Sequence, residues 1–121
     1  MILVVEDDPQ VARLIALVLQ RNGYESTTVA DPQSALARAR EIRPQMIFAD
    51  LTLQGAAGGG ESLCSTLKAQ PETRNIPYVI VSGDRDIAEK AAACGADDHM
   101  GKPFEFDDLI RLVNKYARAQ S

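Results

Sequence analysis

Met46-Ile47-Phe48-Ala49-Asp50 sets four apolar residues in front of a carboxylate. A short, continuous apolar run reads as a strand covered on both faces, the kind found in parallel sheets. This one, spanning Gln45 to Ala49, delivers a single charged group, Asp50, to its C-terminal end. The shape recurs along the chain. Ile2-Leu3-Val4-Val5 runs into Glu6-Asp7-Asp8, and Tyr78-Val79-Ile80-Val81 into Ser82. A shorter stretch, Asp98 to Met100, leads into Lys102-Pro103. Four strand ends therefore offer acidic, acidic, hydroxyl and ammonium groups.

Helical patterns separate these strands. Asp8-Pro9 reads as an N-cap followed by proline in the first turn. Val11, Leu14, Ile15, Val18 and Leu19 then follow the spacing of one helix face, and Asn22-Gly23 marks the stop. Tyr24 to Val29 is a more polar strand, as expected at a sheet edge. Asp31-Pro32 repeats the cap signal before a helix with Ala35, Leu36, Ala39 and Ile42 on its apolar stripe. Leu63, Cys64 and Leu67 mark a third helix. An alanine-rich fourth runs from about Asp84 to Cys94 and stops at Gly95. The last begins near Phe104, with Phe106, Leu109, Ile110 and Val113 on one face and Leu112 and Tyr116 beside it. Strands joined by helical crossovers give a parallel sheet with helices on both faces. The apolar strands belong in the centre and the polar ones at the edges. The expectation is an α/β, flavodoxin-like (βα)5 doubly wound fold, with a five-stranded parallel sheet in the order 2-1-3-4-5.

The 121 residues fit one domain, spanning 1–121. Apolar residues make up 45% and charged residues 25%, ordinary values for a globular chain. The formal net charge of −4 argues against direct nucleic-acid binding, which calls for a basic patch or stripe. Cys64 and Cys94 have no metal-ligand spacing and read as small buried residues of a reducing compartment. No apolar run approaches a membrane span and no signal peptide precedes the first strand, so a cytoplasmic location is expected.

Ligands of open parallel sheets bind beyond the carboxyl ends of the strands. With strands one and three adjacent, Glu6, Asp7 and Asp50 converge. Carboxylates this close raise one another's pKa unless a cation lies between them. Mg²⁺ takes oxygen ligands and suits two carboxylates plus a phosphoryl oxygen. A carboxylate can also act as a nucleophile toward phosphorus, giving an aspartyl phosphate. Lys102 is a mobile point charge of the kind that binds phosphate, and the Ser82 hydroxyl can donate to another phosphoryl oxygen. Taken singly, each residue has a plainer reading. An acid at a strand end is usually a turn or cap residue, Ser82-Gly83 is a turn, and Lys102 a solvated surface lysine. The joint arrangement, each group ending its own strand, is what singles out the chemistry.

Four segments carry a family resemblance: Ile2-Leu3-Val4-Val5-Glu6-Asp7-Asp8, Met46-Ile47-Phe48-Ala49-Asp50, Val79-Ile80-Val81-Ser82-Gly83, and Gly95-Ala96-Asp97-Asp98-His99-Met100-Gly101-Lys102-Pro103-Phe104. Along essentially its whole length the chain resembles the receiver domain of bacterial two-component response regulators. The resemblance implies that Asp50 accepts a phosphoryl group from a sensor histidine kinase or phosphotransfer domain. It implies Asp7 as a direct Mg²⁺ ligand, Glu6 acting through water, and the Thr52 backbone carbonyl completing the protein ligands beside Asp50. Ser82 and Lys102 would hold phosphoryl oxygens. Ser82 and the position of His99 would form the switch, and Thr52 and Asp84 would tune dephosphorylation. Phosphotransfer and autodephosphorylation would be self-catalysed, so no enzyme acting on other substrates is implied. The output would be altered contact with an unknown downstream protein through the face of helix four, strand five and helix five.

Three departures from the family pattern stand out. Gln54 and then Gly55 to Gly60 replace the usual proline and Asp-Gly, making a loop two residues longer and expected to be mobile. His99 replaces an aromatic residue. Within these 121 residues no output domain is expected after the last helix, so the chain either works alone through protein contacts or is a piece of a larger regulator or hybrid kinase. Two other readings compete. A non-phosphorylated pseudo-receiver used for docking usually lacks one or more of Glu6, Asp7, Asp50, Ser82 and Lys102. A Mg²⁺-dependent phosphatase needs a second aspartate two residues after the nucleophile, where this chain has Thr52.

Overall fold

The computed structural model describes residues 1–50, 59–83 and 85–117. Its elements alternate as β1 (Ile2–Val5), α1 (Pro9–Arg21), β2 (Ser26–Val29), α2 (Pro32–Ile42), β3 (Met46–Asp50), α3 (Gly59–Lys68), β4 (Tyr78–Ser82), α4 (Ile87–Cys94), β5 (Asp98–Gly101) and α5 (Phe106–Tyr116). All pairings are parallel and the strand order is β2-β1-β3-β4-β5, the expected doubly wound arrangement.

Successive strand residues point to opposite faces, so each apolar run feeds two cores. Leu3, Val5, Ile47, Ala49, Tyr78 and Ile80 pack under α2, α3 and α4. Ile2, Val4, Met46, Phe48, Val79 and Val81 pack under α1 and α5. This explains why the central strands have no polar alternation. Burying one such side chain contributes roughly 1.5–3 kcal/mol.

The caps form as the sequence predicts. Asp8 accepts from the backbone N–H groups of Gln10 and Val11 at 2.9 and 3.4 Å, and Asp31 from that of Ser34 at 2.8 Å. Gly95 ends α4 at φ +88°, a left-handed position that costs glycine little.

Several boundaries differ from the sequence expectation. β2 begins at Ser26 rather than Tyr24, because the Tyr24 N–H donates to the Leu19 carbonyl and closes α1. α4 begins at Ile87, and Asp86 at its N-cap makes no side-chain capping bond. α5 begins at Phe106, with Phe104 packed against the α1–α5 core and Glu105 extended before the helix. Gly59 and Gly60 are not loop: they open α3 and are buried, and the Tyr78 hydroxyl donates to the Gly60 carbonyl at 2.7 Å. The expected mobility of Gly55 to Gly58 lies outside the described residues.

The apolar stripes also shift. α1 turns Ala12, Ile15 and Leu19 inward and leaves Leu14 47% exposed, since adjacent helix positions are about 100° apart. α5 buries Leu109, Leu112 and Val113, whereas Phe106 opens the helix one turn before the first residue that reaches the sheet and is 46% exposed.

A lysine staples the opposite end of the sheet. Lys68 Nζ donates to the carbonyls of Arg74 (3.1 Å) and Ile76 (2.9 Å) and to Asp97 Oδ2 (2.7 Å). The same carboxylate oxygen accepts the Tyr78 N–H at 2.8 Å. Both cysteines are buried and free.

Candidate functional site

The parallel register brings the functional groups to one edge. β1 and β3 pair with Val5 opposite Ala49, so Glu6 and Asp50 leave the sheet side by side. β3 and β4 place Asp50 opposite Val81, and β4 and β5 place Ser82 opposite Gly101. The Lys102 N–H donates to the Ser82 carbonyl at 2.8 Å, fixing the lysine backbone just past the last ladder position. The Lys102–Pro103 peptide is cis.

Carboxylate oxygens of Glu6, Asp7 and Asp50 lie within 4.8 Å of one another. Asp50 is 8% exposed, Glu6 6% and Ser82 4%, while Asp7 is more open to solvent. Lys102 Nζ reaches Asp50 Oδ2 at 2.6 Å and Glu6 Oε1 at 3.5 Å. Glu6 Oε2 also accepts the Asp7 N–H at 3.0 Å.

Three acids thus face one ammonium group. Burial pushes Glu6 up to about 7; Lys102 opposes the shift and Asp50 adds to it. Burial alone would lower Lys102, but the hydrogen bond and charge of Asp50, with Glu6 behind them, hold it above the ordinary lysine value. The donor set is entirely oxygen and carries surplus negative charge, which fits Mg²⁺. Glu6, Asp7 and Asp50 are the residues that would hold the ion.

Glu6, Asp7, Asp50 and Lys102 therefore converge as the sequence predicts, with Ser82 buried at the end of the neighbouring strand. His99 is exposed on the edge strand β5, and its backbone N–H donates to Asp98 Oδ1 at 2.9 Å. Thr52 and Asp84 lie outside the described residues. What sequence reasoning missed is an exposed apolar patch, Leu14, Leu17 and Phe106; the helix stripes had drawn Leu14 and Phe106 into the core and passed over Leu17. A signal existed: with Leu14 and Leu17 included, the apolar positions of α1 are too broad for one buried face.

Relatives share this architecture. A DNA-binding response regulator, MtrA of Mycolicibacterium smegmatis, is 33% identical over 97% of this chain and 50% of its own length. The nitrogen assimilation regulatory protein NtrX of Azorhizobium caulinodans is 37% identical over 94% of this chain and 25% of its own length. The chain therefore spans half or less of these relatives. The receiver domain of a sensor histidine kinase from Pseudomonas aeruginosa, solved with magnesium in its active-site cleft, superposes with a TM-score of 0.86 at 28% identity, covering 97% of this chain and 96% of that one. Residues 2–114 match the response regulator receiver domain, and the chain belongs to that family.

Proposed function

We propose that Asp50 accepts a phosphoryl group from a phosphohistidine on a sensor histidine kinase or phosphotransfer domain. The observation that carries this reading is the placement of Asp50. It is buried at a strand end, held by Lys102 and flanked by Glu6 and Asp7. A carboxylate oxygen of Asp50 forms the new bond to phosphorus as the bond from phosphorus to the imidazole nitrogen breaks, and that bonding pair leaves with the imidazole. Lys102 orients Asp50 through Oδ2 and offers its charge to the phosphoryl oxygens. Ser82, at the end of β4, would contribute its hydroxyl to another. Mg²⁺, when bound, neutralises charge on the transferring group. Catalysis of transfer and of later hydrolysis resides in the chain itself, which acts on no separate substrate. The output is changed protein contact through the α4–β5–α5 face.

The domain itself makes no direct contact with nucleic acid, in keeping with its net charge of −4. Among the described residues no helix is long and apolar enough to cross a membrane, and we place the domain in the cytoplasm. The test is incubation with acetyl phosphate and Mg²⁺, read by intact mass. The wild type gains one phosphoryl group and Asp50→Asn gains none. Equal labelling of the variant overturns the assignment, and an unlabelled wild type favours a docking pseudo-receiver.

A further inference from the structure

We propose that Phe104 is a positioning residue for phosphotransfer: its ring walls off the underside of the Lys102–Asp50 pair from solvent and so holds the lysine on the aspartate. This role rests on Asp50 being the phosphoryl acceptor. Beneath the site lies a narrow space of about 10 Å³, lined by Glu6, Asp50 and Lys102 and by apolar side chains that include Ile15, Phe48 and Val81. A single water needs about 10–15 Å³, so this space is at the lower limit for one. On the surface nearby, a separate hollow of about 370 Å³ is lined by Phe104, Glu105, Phe106 and Asp107. Phe104 also lines the inner space and is the one residue common to both. It is therefore the wall between them.

Burial singles out the same residue. Ile15, Phe48 and Val81 are buried within the α1–α5 core. Phe104 is half-buried and packs against that core from the segment between β5 and α5. That segment begins at Lys102, so one short stretch supplies both the ammonium group and the ring that closes the space below it.

An apolar floor serves the site in two ways. Charges attract more strongly where water is excluded, so the floor tightens the contact of Lys102 with Asp50 at 2.6 Å. It also seats the long, rotamer-rich lysine stem, which lies along apolar surface while its head stays polar. A lysine that swings away leaves the charge on the transferring group without its cation. Removing the ring would join the two spaces and admit water beneath Asp50 and Glu6.

Two readouts test the role of Phe104. The first is phosphorylation by acetyl phosphate, a small donor that needs no docking surface. Phe104→Ala should slow it about tenfold, as expected when a reacting group is displaced by a change outside the chemistry. Phe104→Val should cost less, and Phe104→Leu, which keeps most of the apolar volume, should restore the rate. In a Lys102→Ala background Phe104→Ala should add no further loss, because the ring acts through the lysine. The second readout is exchange of the Lys102 ammonium protons with water, followed by NMR without any phosphodonor. Phe104→Ala should speed it about tenfold, since local opening sets such exchange. Unchanged exchange overturns the proposal. An equal further loss of rate in the Lys102→Ala background also overturns it, because it marks a merely structural residue. A wild type that takes no phosphoryl group refutes the acceptor role of Asp50 instead, and the exchange comparison still decides whether Phe104 holds Lys102. If Phe104→Ala folds poorly, Phe104→Val carries both readouts.

Discussion

Two lysine–aspartate pairs stand at opposite ends of the same sheet. Lys102 meets Asp50 at 2.6 Å and Lys68 meets Asp97 at 2.7 Å. Distance does not separate them; their surroundings do. Lys68 has three acceptors for its three protons, and Asp97 spends its second role on the Tyr78 N–H. That pair is satisfied locally. Lys102 faces Asp50 and Glu6 with Asp7 nearby, and Glu6, raised chiefly by its burial, is raised further by Asp50. A polar cluster with matched donors, acceptors and charge holds structure. A cluster with surplus charge of one sign is poised to take a ligand of the other sign.

The largest test of this contrast is kinetic. Lys102→Ala should slow phosphorylation by acetyl phosphate by about 10²-fold, the usual effect of removing one donor aimed at developing charge. Lys68→Ala should leave the rate nearly unchanged. Comparable losses in both variants would break the contrast.

Urea unfolding reverses the ranking. Lys68→Ala strands the carbonyls of Arg74 and Ile76 and should cost about 2 kcal/mol. Lys102→Ala should cost less when Mg²⁺ is present, because the cation takes over the neutralisation.

Metal sharpens the comparison further. Saturating Mg²⁺ should stabilise the wild type by roughly 1–3 kcal/mol through binding linkage. Asp7→Ala should lose most of that gain, Glu6→Gln less, and Lys68→Ala none of it. A thermal shift that survives in Asp7→Ala would remove Asp7 from the ligand set.

The smallest effect concerns Asp98, on β5 next to Asp97. Burial tends to raise its pKa, but the His99 N–H, the Tyr116 hydroxyl at 2.8 Å and Lys115 together lower it. A depressed folded value means the stabilisation is present above the unfolded carboxyl pKa of about 3.9 and is lost as pH falls through the folded value. Its charged partner Lys115 is 61% exposed and solvent screens the pair, so Asp98→Asn should flatten the acid limb of the stability curve by only a few tenths of a kcal/mol.

Much of this molecule was legible in the sequence, for identifiable reasons. The strands are continuous apolar runs because both faces of the sheet are covered, and the strand order follows from which runs are polar. Asp8 and Asp31 announce their helices because capping chemistry is local. Glu6, Asp50, Ser82 and Lys102 were readable as a set because each ends its own strand, and a parallel sheet gathers such ends at one edge. Less legible were boundaries that depend on distant atoms. Tyr24 is lost from β2 to a hydrogen bond with Leu19, and Gly60 is drawn into α3 above Tyr78.

By itself the sequence determined the fold class, the strand order and the identity of the acidic edge, because periodicity, capping and strand-end chemistry are carried by neighbouring residues. Only the tertiary structure decided which lysine is matched and which is left among surplus carboxylates, since that depends on carbonyls and acids brought together from distant segments. It also decided that Leu14 and Phe106 face solvent. A helix pattern marks where apolar residues recur, but only the packed sheet determines how wide a stripe it can cover.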